Sequence, residues 1–134
     1  MPKVINIPVK ELMSRDLVIV KPKDTLKEVD RLFMAYNIHH LPVVGEEGKL
    51  LGLLSKNDLY RVRGNAKDDT EVGTMMSKSL ATAAPDTPLR EVAEVFLSNI
   101  MHAMPIVDRG ELIGLVTAQD VLRYCIEEQK LLEE

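Results

Sequence analysis

Tryptophan is missing from this 134-residue chain, and there are only two Phe and three Tyr. A core without large rings has to be aliphatic, assembled from Leu, Val, Ile and Met. The single cysteine, Cys125, excludes an intramolecular disulfide and points to a reducing cytoplasm. No apolar run reaches the ~20 residues of a membrane-spanning helix. The N-terminal MPKVINIPVK also lacks the apolar stretch of a signal peptide. Basic residues are outnumbered, 17 Lys and Arg against 21 Asp and Glu, which leaves a net charge of −4 and no basic field for nucleic acid. One local anion pocket is still compatible with that balance. There is no nucleophile with a base and an orienting group, no Gly-rich phosphate loop, no HExxH and no paired-Cys cluster. The chain is therefore read as non-enzymatic and, without Cys or His pairs at ligand spacing, as having no metal site.

What the chain does have is itself twice. MSRDLVIVKPKDTLKEVDRLFMAYNIHHLPVV starts at Met13, and MSKSLATAAPDTPLREVAEVFLSNIMHAMPIV starts at Met76, an offset of 63. GKLLGLLSKNDLYR from Gly48 is matched by GELIGLVTAQDVLR from Gly110, an offset of 62. The slip of one residue falls at EEG against RG, where a hairpin turn can absorb it. A period this long marks a repeated supersecondary unit. One such unit alone, roughly 60 residues, buries only about 60% of its unfolded surface, so two are expected to share their stability.

Within the first copy, Leu17 to Val20 reads as a short buried strand closed by Lys21-Pro22. A helix then follows, capped by Asp24 directly or by Thr25 with Glu28 in a capping box. The second copy offers Thr87 as cap with Pro88 at the first helical position. Leu26, Val29, Phe33 and Tyr36 recur at helical spacing, matched by Leu89, Val92, Phe96 and, with the stripe broken, Asn99. His39 to Val44 is a second strand, Glu46-Glu47-Gly48 a turn, and Leu50 to Leu54 a third strand completing a hairpin. A second helix opens at Lys56 and runs to about Arg63. The order β-α-β-β-α predicts a right-handed crossover with parallel pairing of the first two strands. LLGLL and LIGLV are apolar on both faces, as strands covered on two sides should be. The divisions are 9–61 for repeat 1, 62–71 for a linker, 72–124 for repeat 2 and 125–134 for a helical tail, whose Leu131 and Leu132 either touch a partner or fray.

The segments NIHHLPVV with LLGLLSKND, and NIMHAMPIV with LIGLVTAQD, carry a recognisable pattern. The chain resembles a tandem cystathionine-β-synthase (CBS) domain pair, also called a Bateman module, over about Val9 to Tyr124. The resemblance implies an α/β (α+β) fold of two β-α-β-β-α repeats in pseudo-twofold arrangement. It implies clefts between the repeats that take an adenine nucleotide or adenosyl ligand (AMP, ADP, ATP or S-adenosylmethionine). It also implies a homodimer that signals occupancy to a regulated partner protein still unidentified. The alternative, favoured by the acidic charge, is a structural dimerisation or adaptor module with empty clefts.

Residue by residue, Ser55-x-x-Asp58 and Thr117-x-x-Asp120 match the family's ribose motif. A carboxylate can accept two hydrogen bonds from a cis-diol. The same [ST]-x-x-[DE] spacing is also a capping box. The histidines His39, His40 and His102 resemble the His-Arg pair that contacts phosphates in the γ subunit of AMP-activated protein kinase. His40 and Ala103 stand where that Arg would be, which weakens the phosphate grip. The imidazoles also read simply as structural or surface groups. By the resemblance, a fuller cleft would combine Thr117, Asp120 and Thr82 with His39, His40, Ala103 and Met104. A second would combine Ser55, Asp58 and Ile19 with Leu41 and His102. Pro42 and Pro105 cannot donate to a ladder, which would leave backbone groups at His40-Leu41 and Ala103-Met104 for an adenine edge. Gly52 and Gly114 permit close approach, with tight packing the plainer cause. Lys56 is the nearest positive charge to a cleft mouth.

Overall fold

The computed structural model describes residues 6–62, 64–65, 67–98 and 101–133, the side chains of 132 and 133 excepted. The stripe position Asn99, the helix end at Arg63 and the Leu132 side chain lie outside the described residues. The fold is mixed α+β: α1 (Leu26–Ala35), β1 (His40–Val44), β2 (Leu50–Ser55), α2 (Lys56–Val62), α3 (Leu89–Ser98), β3 (Ala103–Asp108), β4 (Glu111–Thr117) and α4 (Ala118–Glu133). β1 pairs with β2 and β3 with β4, giving two small sheets.

The chain divides into two compact units whose cuts do not follow the sequence repeats. One unit is Val18–Leu80 with Gly110–Leu112; the other is Met1–Leu17, Ala81–Arg109 and Ile113–Glu134. The segment heading each copy thus packs with the body of the other copy. In the first unit, Ser77 exchanges two backbone hydrogen bonds of 3.0 Å with Leu53 on β2. In the second, Ser14 does the same with Leu115 on β4, at 2.9 and 3.0 Å. The first unit's core is Val20, Leu26, Val29, Phe33, Leu41, Val43, Leu54, Leu59 and Val72. The second is built on Val9, Met13, Leu89, Val92, Met104, Ile106 and Val116. Both are aliphatic apart from Phe33 and a peripheral Phe96 and Tyr124, as a chain so short of aromatic residues requires.

Four expectations need correction. The strand over Leu17 to Val20 reduces to one parallel bridge, Val20 with Val43; its counterpart is Ala83 with Ile106. Val20 donates to the Pro42 carbonyl and accepts from Val44 N–H, and Ala83 does likewise with Pro105 and Val107. A continuing parallel ladder would next need the N–H of Pro42 or Pro105, which proline lacks, so pairing stops there. Ile19 is exposed.

The second correction concerns the caps. Thr25 occupies the N-cap of α1 but its side chain makes no capping bond, and no Thr25–Glu28 box forms. Asp24 and Thr87 instead close the preceding turns, accepting from Lys21 N–H (2.8 Å) and Ala84 N–H (3.1 Å). Pro88 stands just outside α3, which begins at Leu89. Side-chain caps are superfluous because backbone from elsewhere takes the helix amides. Leu26 N–H donates to Thr70 (2.9 Å), Lys27 N–H to Asp68 (3.1 Å) and Leu89 N–H to Ile7 (2.7 Å). The stretch 68–70, read as linker, therefore caps the N-terminus of α1.

Third, Tyr36 leaves the core stripe. It is the C-cap of α1, with extended φ/ψ of −122° and 145°, so helical periodicity has ended before it and its ring is exposed. Fourth, coverage of β2 on both faces is incomplete, since Leu51 is exposed while its neighbours from Gly52 to Leu54 are buried.

The hairpins explain the one-residue slip. β3 and β4 are joined through Arg109 and Gly110, at φ 54° and 83°, the two positive-φ positions of a type I′ turn. The first hairpin uses the longer Gly45–Lys49 loop, with Glu47 and Gly48 at positive φ, and a register shift between Val43 and Val44 takes up the remainder.

Gly52 and Gly114 are glycines because a segment lies against them. A Cβ on Gly52 would sit 2.9 Å from the Ser77 carbonyl oxygen, and one on Gly114 would sit 2.8 Å from Met13 Cγ. Gly52→Ala should therefore destabilise by about 1–3 kcal/mol, the range for overpacking a tight site. Urea denaturation checks this; a loss below about 0.5 kcal/mol would show that the 77 segment yields freely.

Candidate functional site

Two corners of the fold are built alike. In each unit an apolar strand runs into a helix at a Ser or Thr, and an Asp follows three residues later. At the first, Asp58 N–H donates to Ser55 Oγ at 3.0 Å, and Ser55 N–H donates to Asp58 Oδ2 at 3.3 Å. At the second, Asp120 N–H donates to Thr117 Oγ1 at 3.1 Å, and Thr117 N–H donates to Asp120 Oδ2 at 2.9 Å. Both are complete capping boxes. The first helix amides are also occupied: Lys56 N–H donates to the His39 carbonyl at 2.8 Å and Ala118 N–H to the His102 carbonyl at 3.0 Å. The histidines thereby have a backbone role in positioning each corner, which their side-chain chemistry does not reveal.

The two remaining contacts were not anticipated from sequence. Arg61 pairs with Asp58 Oδ1, and Arg123 Nη1 donates to Asp120 Oδ1 at 3.2 Å. The signal was available, since an Arg follows each Asp at i+3 in both copies, a spacing that puts both on one helix face. Each carboxylate thus uses Oδ2 for the cap and Oδ1 for the guanidinium. A carboxylate offers about four lone-pair positions, so a cap and a second set of donors can coexist on it.

Burial raises the Asp58 pKa, but the Ser55 hydroxyl, the Ser55 N–H and the Arg61 guanidinium together outweigh it, and the group titrates below its ordinary 3.8. A folded pKa below the unfolded one stabilises the fold above pH 3.8, and this contribution is lost as pH falls through the folded value. Asp58→Asn should hence destabilise measurably at pH 7 and not at pH values below the folded pKa. Equal destabilisation at both ends of a pH series of melts would contradict this assignment.

The other named residues divide by burial. Leu41, Ala103 and Met104 are buried, backbone included, at 0%, 2% and 2% exposure. His39, His102, Ile19 and Thr82 are exposed, and His40 is half-buried, paired across the sheet with Ser55. Within one unit lie His39, His40, Leu41, Ser55, Asp58 and Ile19; Thr82, His102, Ala103, Met104, Thr117 and Asp120 lie in the other. Among the described residues no three His, Cys, Asp or Glu side chains converge on a metal geometry.

The family profile described as CBS domain matches residues 9–65 and again 72–127. The chain belongs to the CBS domain family. It is 28% identical over 120 residues to an uncharacterized protein, MJ1225, of Methanocaldococcus jannaschii, covering 89% of this chain and 43% of that one. The chain thus spans less than half of that relative's length. Among solved structures, the CBS domain pair of protein MJ0100, in complex with 5′-methylthioadenosine and S-adenosyl-L-methionine, superposes with a TM-score of 0.82 at 25% identity. That match covers 92% of this chain and 98% of that one. CBSX2 in complex with AMP superposes with a TM-score of 0.81, also at 25% identity, covering 92% and 98%. The chain is a CBS pair, and each capping-box corner sits at the strand-to-helix step of one CBS repeat.

Proposed function

We propose that this CBS pair is a regulatory module that binds an adenine nucleotide or related adenosyl ligand and signals to a partner protein without catalysing a reaction. The observation that carries the reading is the paired corner itself. Ser55-Asp58 and Thr117-Asp120 have the same hydrogen bonds, with Asp side chains 20% and 17% exposed. Solved CBS pairs of the same fold were crystallised with AMP, and with methylthioadenosine and S-adenosylmethionine. In this reading Asp120 and Asp58 hold ribose hydroxyls. His39, His40 and His102 are the candidate phosphate contacts, as the resemblance implies. Thr82 and Ile19 flank the base, as the resemblance implies. The single Cys125 fits a cytoplasmic setting, and no described helix is long and apolar enough to cross a membrane.

A thermal-shift panel of AMP, ADP, ATP, S-adenosylmethionine and NAD tests the reading. A bound ligand at ten times its dissociation constant should stabilise by about 1.4 kcal/mol. Silence across the panel would favour the second reading, an adaptor that works by pairing with a second copy. One observation supports that alternative: large apolar side chains stand exposed at matched repeat positions, Met34 and Leu97 at 88% each, with Tyr60 and Leu122 exposed as a second matched pair. Faces of this kind suit a homodimer, which light scattering would detect.

A further inference from the structure

We propose that Arg123, and Arg61 in the other repeat, set ligand specificity by charge, because each holds the carboxylate oxygen that the cap leaves uncommitted. The inference rests on the reading of Asp120 and Asp58 as ribose acceptors. Asp120 Oδ2 is fixed on Thr117 N–H within the cap at 2.9 Å, so moving it would open the first turn of α4. That leaves Oδ1, and Arg123 Nη1 lies 3.2 Å from it. The aspartate side chain is 17% exposed and the arginine 63%, so the pair faces solvent on its arginine side. Repeat 1 preserves the arrangement with Arg61 on Asp58. A diol that donates two hydrogen bonds to Oδ1 must displace or share the guanidinium. An exposed ion pair of this sort is weak enough to exchange. Once displaced, the guanidinium is tethered one helical turn from the ribose. A cation held there favours a ligand whose ribose carries an anion, such as a nucleotide phosphate, and disfavours one carrying a sulfonium. The site lacks the Arg expected beside the histidines, where His40 and Ala103 stand. Arg123 and Arg61 each supply a positive charge three residues after the motif's Asp.

The test compares adenosine, AMP and S-adenosylmethionine by calorimetry on the full chain, using the wild type, Arg123→Gln, Arg123→Lys and Asp120→Ala. In Arg123→Gln the ion pair no longer competes, so adenosine should bind up to about 5-fold tighter. AMP shares that gain but loses one nearby charge of similar worth, so its affinity should change little and the AMP-to-adenosine preference should fall about 5-fold, while S-adenosylmethionine should tighten. Arg123→Lys should retain the wild-type preference for AMP over adenosine, since charge and not fork geometry is the determinant. The Arg61 variants repeat the test at the other corner. An AMP-to-adenosine ratio unchanged by Arg123→Gln and Arg61→Gln, in a protein whose binding still depends on Asp120, overturns the specificity role and leaves the ribose reading intact. Wild-type protein that binds none of the three, or Asp120→Ala and Asp58→Ala variants that both bind as wild type does, overturns the ribose reading and this inference with it.

Discussion

Leu54→Ala should lower the free energy of unfolding by about 2–5 kcal/mol, the span for truncating a buried leucine. Leu54 is fully buried on β2, opposite Leu41, in the cluster formed with Val20, Leu26, Val29 and Leu59. No aromatic group but Phe33 belongs to that cluster, and the packed aliphatic side chains around it have little room to close over a missing isobutyl group. A domain of this size has only some 5–15 kcal/mol of net stability, so the variant should be far less stable at 37 °C. Chemical denaturation measures the change directly. A loss under about 1 kcal/mol would mean that the cluster relaxes into the cavity. The same substitution at exposed Leu51, three residues earlier on the strand, should change stability little, which separates burial from strand propensity.

Asp120→Ala should weaken adenosyl-ligand binding by roughly 10- to 150-fold while lowering stability by only about 1 kcal/mol. The first figure follows from losing hydrogen bonds to a charged acceptor, worth about 1.5–3 kcal/mol. The second is the usual worth of a capping side chain, here the Asp120 half of the box with Thr117. The same carboxylate performs both jobs, yet the two readouts scale differently, so one variant separates them. Intact affinity alongside a large drop in melting temperature would assign Asp120 to the cap alone. Thr117→Ala supplies the comparison, since it removes the hydroxyl that accepts from Asp120 N–H without touching the carboxylate.

Much of this was legible in the chain. The offset of 63 between the copies announced two like units, and the two apolar strands of each hairpin, with EEG and RG between them, announced the antiparallel pairing that β1–β2 and β3–β4 show. Ser55-x-x-Asp58 and Thr117-x-x-Asp120 were visible as capping boxes because that motif is entirely local, and local spacing is what a sequence records. The caps at Asp24, Thr25 and Thr87 misled for the complementary reason. Their helix amides are taken by the carbonyls of Thr70, Asp68 and Ile7, far away along the chain. Residue types at the helix entrance carry no trace of that.

Periodicity, turn chemistry and cap spacing are local properties of the chain, and they determined the doubling of the unit and the α-β-β-α order within each copy. Tertiary structure alone decided which segment completes which unit. Residues near Ser14 lie beside Leu115 and those near Ser77 beside Leu53, and no short-range pattern dictates a backbone pairing between such distant positions. It also decided the state of the two aspartates. Whether an arginine one turn away lies along the helix to meet a carboxylate or extends into water depends on how the strand end, the cap and the helix are held together, and here they hold it on Oδ1.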